Sequence, residues 1–159
     1  MIEKNLDRAI KDFIWNVVEI HSQLEEIHKS WAELLGITEP QWLILMAIEE
    51  LDEGQGVAGI DVAGKLRIHP AFVTNQTKSL EKSGLLSRVT RADDARYVLM
   101  SLTAKAQAEI AKLAKRKLAL NSTMFNEFDE KTLADINAAL ATIAKNARLA
   151  SRLLAIDIS

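Results

Sequence analysis

The fold of this chain is decided by residues 60–102, which have the sequence IDVAGKLRIHPAFVTNQTKSLEKSGLLSRVTRADDARYVLMSL. Residues 60–66 have the length and composition of a short helix, and residues 67–69 predict a turn. Pro70 suits the first turn of a second helix, because its φ is fixed near the helical value and it has no N–H to satisfy. That helix is predicted over residues 70–82, since a Ser-Gly pair follows it.

The pattern then changes from helical to extended. Residues 85–90 and 97–102 are rich in β-formers, and the polar residues 91–95 lie between them. This predicts a hairpin with a charged tip. Two short helices joined by a tight turn and followed by a hairpin are typical of a winged helix-turn-helix.

Four further helices are predicted outside this stretch. Residues 6–35 contain no Gly or Pro and place apolar side chains every three or four residues, which indicates a long amphipathic helix. A capping-box pattern at residues 38–41 predicts a helix from Pro40 to about residue 51. After the hairpin, we expect one helix from Thr103 to about residue 126 and another from Asp129 to about residue 154.

The predicted fold is therefore mainly α with a small β-hairpin wing. We expect residues 37–103 to form a winged helix-turn-helix DNA-binding domain, and residues 1–36 and 104–159 to form a helical dimerisation region. Long amphipathic terminal helices often pair with a second subunit, although a bundle within one chain would bury the same apolar stripes.

Composition narrows the function classes. The 159 residues include no cysteine, which excludes disulfides, cysteine nucleophiles and thiolate metal sites. No apolar run approaches the roughly 20 residues of a membrane span, so we expect a cytoplasmic protein that does not contact membrane. The net charge of −2 does not predict a nucleic-acid partner, but residues 60–103 hold seven bases against four acids. Local charge distribution, rather than the total, determines a phosphate-binding surface.

The predicted helix at residues 70–82 has a polar face suited to nucleic acid. At about 100° per residue, its small, amide, hydroxyl and cationic side chains share one side, opposite Val73 and Leu80. These polar-face residues are Ala71, Thr74, Asn75, Lys78 and Lys82. Amides pair with adenine, and lysines reach guanine or phosphate. A solvated surface helix without a partner would show the same pattern.

The predicted wing adds three arginines, which are Arg88, Arg91 and Arg96. A hairpin that exposes arginines suits the minor groove, where the negative potential is concentrated. Asp94 lies two residues before Arg96 and could orient its guanidinium through a charge-assisted hydrogen bond. A local surface ion pair of little energetic weight is the alternative.

Several short motifs occur in a defined order and spacing. They are GITEPQW (36–42), DVAGKL (61–66), VT (73–74), LEKSGLL (80–86), DAR (94–96) and LT (102–103). Over about residues 36–106 the chain resembles the MarR family of bacterial transcriptional regulators. The resemblance implies a homodimer that binds a pseudo-palindromic double-stranded DNA operator. It also implies a repressor that small phenolic or aromatic acids release from this operator. Gln76 and Thr77 depart from the family, in which these inward positions are usually apolar.

An effector pocket would draw on the first helix. Trp15 projects away from its apolar stripe, which suggests a ligand crevice or a partner subunit. His21 and His28 flank the stripe, where they line a pocket or cap polar core groups, and Trp31 fits the core as well as a pocket. The two histidines are separated by about 10.5 Å along the helix, too far to share a metal ion.

No pattern indicates catalysis. The sequence has no phosphate-binding glycine loop and no nucleophile elbow, so we expect neither enzyme activity, nor a cofactor, nor a bound metal. The alternative to a DNA-binding regulator is a winged-helix protein-interaction module or anti-regulator that does not bind DNA.

Overall fold

The computed structural model describes residues 2–91, 94 and 97–157. Its helices are α1 (Ile2–Leu35), α2 (Glu39–Leu51), α3 (Gly59–Leu66), α4 (Pro70–Lys82), α5 (Ala104–Lys112), α6 (Ala114–Phe125) and α7 (Glu130–Asp157). Its strands are β1 (Val57–Ala58), β2 (Leu86–Thr90) and β3 (Val98–Leu102). The chain divides into two compact units, Met1–Lys112 and Leu113–Ser159.

The first unit is built around α2. The predicted capping box is present, since the backbone N–H of Thr38 donates to Oε1 of Gln41 at 3.1 Å. In α2, the side chains of Trp42, Ile44 and Ile48 are at most 2% exposed. Helices α3 and α4 and strand β3 pack around them, and this places the core between α2, the two short helices and the sheet.

Only the C-terminal third of α1 joins this core. Ala32 is 1% exposed and lies where α1 contacts α2, whereas residues 4–23 are exposed along their whole length. The apolar stripe predicted for α1 is therefore formed but largely uncovered in a single chain, as at Leu6, Ile10 and Val17.

The sheet has three antiparallel strands in the order β1-β3-β2. Strands β2 and β3 form the predicted hairpin, paired from Leu86 with Leu102 to Thr90 with Val98. Strand β1 was not predicted. A strand of two residues is too short to show a period. These residues are extended because they pair with the free edge of β3, where Val57 lies opposite Met100.

One predicted helix is wrong. We expected a continuous helix from Thr103 to about residue 126, but the structure has α5 and α6, separated at Leu113. This residue has φ −84° and ψ −11°, which lies off the helical value of ψ, and its side chain is only 7% exposed. A one-residue interruption without Gly or Pro leaves no signal in the sequence. The fold class itself, mainly α with a small β-hairpin wing and long terminal helices, is confirmed.

The second unit consists of α6 and α7. Asp129 caps α7 as predicted, because its Oδ1 accepts the backbone N–H of Thr132 at 2.7 Å. The hydroxyl and the backbone N–H of Thr132 lower the pKa of the Asp129 carboxyl. Ile136, Leu140 and Ile143 are each 38–42% exposed along α7. The assignment of residues 1–36 and 104–159 to dimerisation and of residues 37–103 to DNA binding stays a prediction.

Candidate nucleic-acid interface

Helix α4 separates its two faces as the periodicity predicts. Its inward side chains include Val73, Thr77 and Leu80, each 1% exposed. The predicted polar-face residues are all exposed: Ala71, Thr74, Asn75, Lys78 and Lys82. The Thr74 hydroxyl donates to the carbonyl of Pro70 at 3.1 Å, which leaves its oxygen free to accept. Thr77, which the sequence marked as unusual, satisfies its hydroxyl by donating to the carbonyl of Thr74.

The N-terminal end of α4 is fixed by two residues. His69 is the N-cap, and its Nδ1 accepts the backbone N–H of Ala71 at 3.1 Å. Pro70 occupies the first turn, where it has no N–H to satisfy. The cap role of His69 was not predicted, because histidine is not among the usual N-cap residues.

The C-terminal end of α4 is held by the start of α5. Gly84 has a φ of +72° and turns the chain into β2. The Thr103 hydroxyl donates to the carbonyl of Gly84 at 2.7 Å, and the Lys105 ammonium donates to the carbonyl of Ser83 at 2.8 Å. The recognition-helix candidate is thus anchored at both ends, which fixes the direction of its polar face.

The wing closes beyond β2 and β3. The backbone N–H of Arg91 donates to the carbonyl of Tyr97 at 2.9 Å, and that of Tyr97 donates to Asp94 at 3.0 Å. The Arg91 guanidinium lies 5.7 Å from the centroid of the Tyr97 ring, a cation–π distance. The proposed contact of Arg96, and its orientation by Asp94, lie outside the described residues.

Arg88 lies on β2 with its side chain largely inside the lobe. Its Nη1 is 3.4 Å from Oε2 of Glu81 on α4, and the side chain is 17% exposed. Its buried Nε has no hydrogen-bond partner in the part of the chain that the structure describes. The sequence predicted Arg88 to be a cation of the wing. It could not show that Glu81 faces Arg88, because that contact depends on how β2 returns along α4.

Residues 37–98 match the model of the MarR family. The matched residues are those of the winged-helix segment. The MarR-family resemblance drawn from the short motifs is therefore confirmed, over a segment that holds α2, β1, α3, α4 and β2.

Solved structures of MarR-type regulators share the fold. The MepR–DNA complex of S. aureus is 19% identical with a TM-score of 0.70, covering 84% of this chain and 97% of that one. AbsC, a MarR family transcriptional regulator from Streptomyces coelicolor, is 22% identical with a TM-score of 0.71, covering 86% and 93%. The transcriptional regulator SlyA is 17% identical with a TM-score of 0.69, covering 86% and 94%. The comparison with curated proteins gives no match.

A cavity of about 340 Å³ lies in the winged-helix segment, between α4 and the sheet. Its walls are mostly apolar, with Val73, Val98 and Met100 among them, and Arg88 and Tyr97 add a guanidinium and a phenol. Pockets that hold small molecules are about this size and combine apolar walls with a few polar groups. The sequence did not predict this cavity, since its lining comes from residues 58–100 of several elements.

The four residues predicted to line an effector pocket do not meet within one chain. Trp15 is 70% exposed, and Trp15 and Trp31 are about 24 Å apart along α1 at 1.5 Å per residue. His21 is exposed, whereas His28 is half-buried, and burial lowers its pKa, an effect that Glu39 opposes. The Trp31 and Trp42 ring centroids are 6.3 Å apart. Only His28 and Trp31 lie near the α1–α2 contact, and an effector role for all four stays a prediction.

Two further observations describe the rest of the chain. Among residues 2–91, 94 and 97–157, no helix has the length and apolar character needed to cross a membrane. The same residues contain no group of three or more histidine and carboxylate side chains placed to hold a metal ion.

Proposed function

We propose that this protein is a homodimeric, DNA-binding transcriptional regulator, a repressor that a small aromatic or phenolic acid releases. One observation carries the proposal. Within a MarR-family segment, α4 presents Asn75, Lys78 and Lys82 to solvent, and none of the three side chains has a hydrogen-bond or ion-pair partner in the described residues. A helix face that the fold leaves unused, next to an arginine-bearing hairpin, suits a DNA duplex. We place this regulator in the cytoplasm. Its proposed function requires no catalytic step, no cofactor and no membrane contact.

The proposed complex follows the geometry of helix-turn-helix dimers. Helix α4 enters the major groove, where an amide and lysines read base edges and phosphates, and the wing reaches the adjacent minor groove. Two copies then contact the half-sites of a pseudo-palindromic operator, about 10 bp apart. The exposed apolar side chains of α1 and of the second unit, among them Phe13 and Leu149, support pairing with a second copy.

Fluorescence anisotropy with a labelled duplex from the region upstream of its own gene tests DNA binding. We expect affinity to fall steeply with salt, because neutralised phosphates release counterions. Lys78→Ala should make the slope of log K against log salt shallower by about 0.9 for each bound copy. Asn75→Ala should reduce discrimination between operator and unrelated DNA by about 1–3 kcal/mol. Arg96→Ala should weaken binding strongly if the wing enters the minor groove.

A matched control and a mass measurement complete the test. Lys131→Gln removes one positive charge from α7, where Lys131 pairs with Asp135, and should leave DNA binding unchanged. Light scattering should give twice the 17.7 kDa of one chain. A monomer, or a protein with no salt-sensitive affinity for any DNA, would reject the proposal and favour a winged-helix protein-interaction module.

The cavity beside α4 supports the effector part of the proposal. An aromatic acid would place its ring on the apolar wall and its carboxylate near the buried Nε of Arg88. The effector weakens DNA binding only as far as it prefers a dimer geometry that mismatches the operator. Benzoate titrated into the protein–DNA complex is the probe. Loss of the response in Arg88→Gln would place the effector in this cavity, and loss in His28→Gln or Trp15→Ala would place it along α1.

A further inference from the structure

Three helices of the first unit end in the same backbone motif. In each, a backbone amide beyond the helix end donates to the carbonyl five residues earlier. The residue directly before that amide turns the chain. The N–H to carbonyl bonds are Ile37 to Ala32 at 3.0 Å, Ile68 to Ala63 at 3.1 Å and Leu85 to Leu80 at 3.0 Å. This motif requires a left-handed conformation at the turning residue, which is usually glycine.

Two of the three turning residues are glycines, and the third is an arginine. Gly36 ends α1 with a φ of +67°, and Gly84 ends α4 with a φ of +72°. At the end of α3 the position is taken by Arg67, with φ +57° and ψ +40°. Of the residues that the structure describes, Arg67 is the only non-glycine with positive φ. A Cβ is disfavoured in this conformation, so the backbone alone would favour glycine here too.

The fold explains the turn but not the side chain. The left-handed conformation lets Ile68 pack against the core and lets α4 begin at Pro70. The Arg67 side chain is exposed and has no hydrogen-bond or ion-pair partner among the described residues. Its neighbour Lys65, by contrast, pairs with Glu50 on α2. The chain therefore keeps a guanidinium at a position that disfavours it, and no contact within the described protein accounts for it.

We infer that Arg67 binds a DNA phosphate beside the half-site that α4 reads. In a helix-turn-helix, the first helix crosses the sugar–phosphate backbone while the second lies in the major groove. Arg67 ends that first helix and lies two residues before the N-cap of α4, so its guanidinium is placed at the edge of the groove. Unfavourable backbone conformations that the fold maintains are concentrated at functional sites. This inference rests on the proposed DNA-binding function.

Two substitutions separate the DNA contact from any structural role. Arg67→Gly and Arg67→Asn both remove the charge and both tolerate the left-handed conformation. We expect the Tm of Arg67→Gly to equal or exceed that of the wild type. Affinity for DNA should fall severalfold, and the salt slope should become shallower by about 0.9 for each bound copy. Operator and unrelated DNA should be affected equally, because a phosphate contact carries no sequence information.

The controls keep the outcomes distinct. Arg67→Lys retains the charge and should retain most of the affinity, whereas Lys131→Gln, which removes one charge from α7, should change neither Tm nor slope. Unchanged affinity and slope in Arg67→Gly and Arg67→Asn, with a wild type that binds DNA, would overturn this inference and leave the proposed function standing. A lower Tm in Arg67→Gly would make Arg67 a structural residue and would also overturn it. A wild type without affinity for DNA would refute the proposed function itself.

Discussion

Replacing Asp52 with alanine tests what holds the sheet at the base of the wing. Asp52 follows α2, and its Oδ1 accepts the backbone N–H groups of Gly54 and Gly56, each at 2.8 Å. The carboxylate also accepts a hydrogen bond from the Ser101 side chain on β3. One side chain therefore closes the loop that leads into β1 and ties that loop to the strand that β1 pairs with.

The size of the effect follows from these bonds. A hydrogen bond to a charged acceptor contributes about 1.5–3 kcal/mol. The N–H of Gly54 is exposed and gains a water molecule after the substitution, but that of Gly56 is partly buried. Gly56 is also packed closely, since a Cβ there would lie 3.1 Å from Cβ of Leu99, so the loop has little room to adjust. We expect Asp52→Ala to lower the free energy of unfolding by about 2–3 kcal/mol, and Asp52→Asn, which keeps one acceptor oxygen, by about 1 kcal/mol.

Urea unfolding followed by circular dichroism measures this difference in the free energy of unfolding. In thermal unfolding, the Tm of Asp52→Ala should be roughly 4–12 °C below that of the wild type. Glu53→Ala is the matched control, because Glu53 is an exposed acid in the same loop with no hydrogen bond or ion pair in the described residues. It should unfold like the wild type. An Asp52→Ala protein within about 0.5 kcal/mol of the wild type, or an equal loss in Glu53→Ala, would refute the reasoning.

The same contacts predict that the stability contributed by Asp52 depends on pH. The hydrogen bond from Ser101 and those from the loop amides hold the pKa of Asp52 below its ordinary 3.8, against the opposing effect of burial. Because the folded pKa is depressed, the stabilisation is fully present above the unfolded pKa and is lost as pH falls through the folded value. The stability gap between the wild type and Asp52→Asn should therefore narrow below about pH 4.

Three further outcomes are expected. Leu80→Ala, at a side chain 1% exposed, should cost about 2–5 kcal/mol in urea unfolding, because it leaves a cavity beneath α4. Thr77→Val should change stability by less than about 1 kcal/mol and leave DNA affinity unchanged, since among the described residues the Thr77 hydroxyl bonds only to the carbonyl of Thr74 in its own helix. Burial lowers the pKa of His28, with Glu39 opposing, so its NMR titration should give a value below 6.5. Because the folded protein favours neutral His28, the free energy of unfolding should decrease as pH falls from about 6.5 through the lowered pKa of His28. His28→Gln should remove this pH dependence.

Helix boundaries in the first unit could be predicted because their signals are local. Gly36 ends α1, the pair Thr38 and Gln41 begins α2, and Pro70 begins α4. Each signal occupies a few consecutive residues and acts through the backbone of those same residues. The sequence alone is enough to locate such boundaries within a few positions.

Other features depend on contacts between distant parts of the chain. Strand β1 is extended because it pairs with β3, some forty positions later, as Val57 does with Met100. The interruption at Leu113 lies in a stretch with strong helix formers on both sides and no glycine or proline. Neither feature has a local cause, so neither could be predicted from periodicity.

The candidate interface shows the same division. Burial of Val73 and exposure of Asn75 follow from the helical period, and the sequence predicted both. The pairing of Arg88 with Glu81 and the left-handed conformation of Arg67 follow from tertiary packing, and the sequence predicted neither. Side chains that the period places are predictable, and side chains that a neighbouring element places are not.

This division changes how the local charge should be interpreted. A count of the bases in residues 60–103 treats every cation as available to phosphate. However, Lys65 pairs with a glutamate on α2, and Arg88 lies mostly inside the lobe beside a glutamate on α4. Arg67, Lys78 and Lys82 are exposed and have no acidic partner among the described residues. All three lie on the helix-turn-helix, at the end of α3 and along the outer face of α4. An acidic chain can therefore offer cations to phosphate, because the cations that its own acids leave unpaired lie on the helix-turn-helix that we propose contacts the duplex.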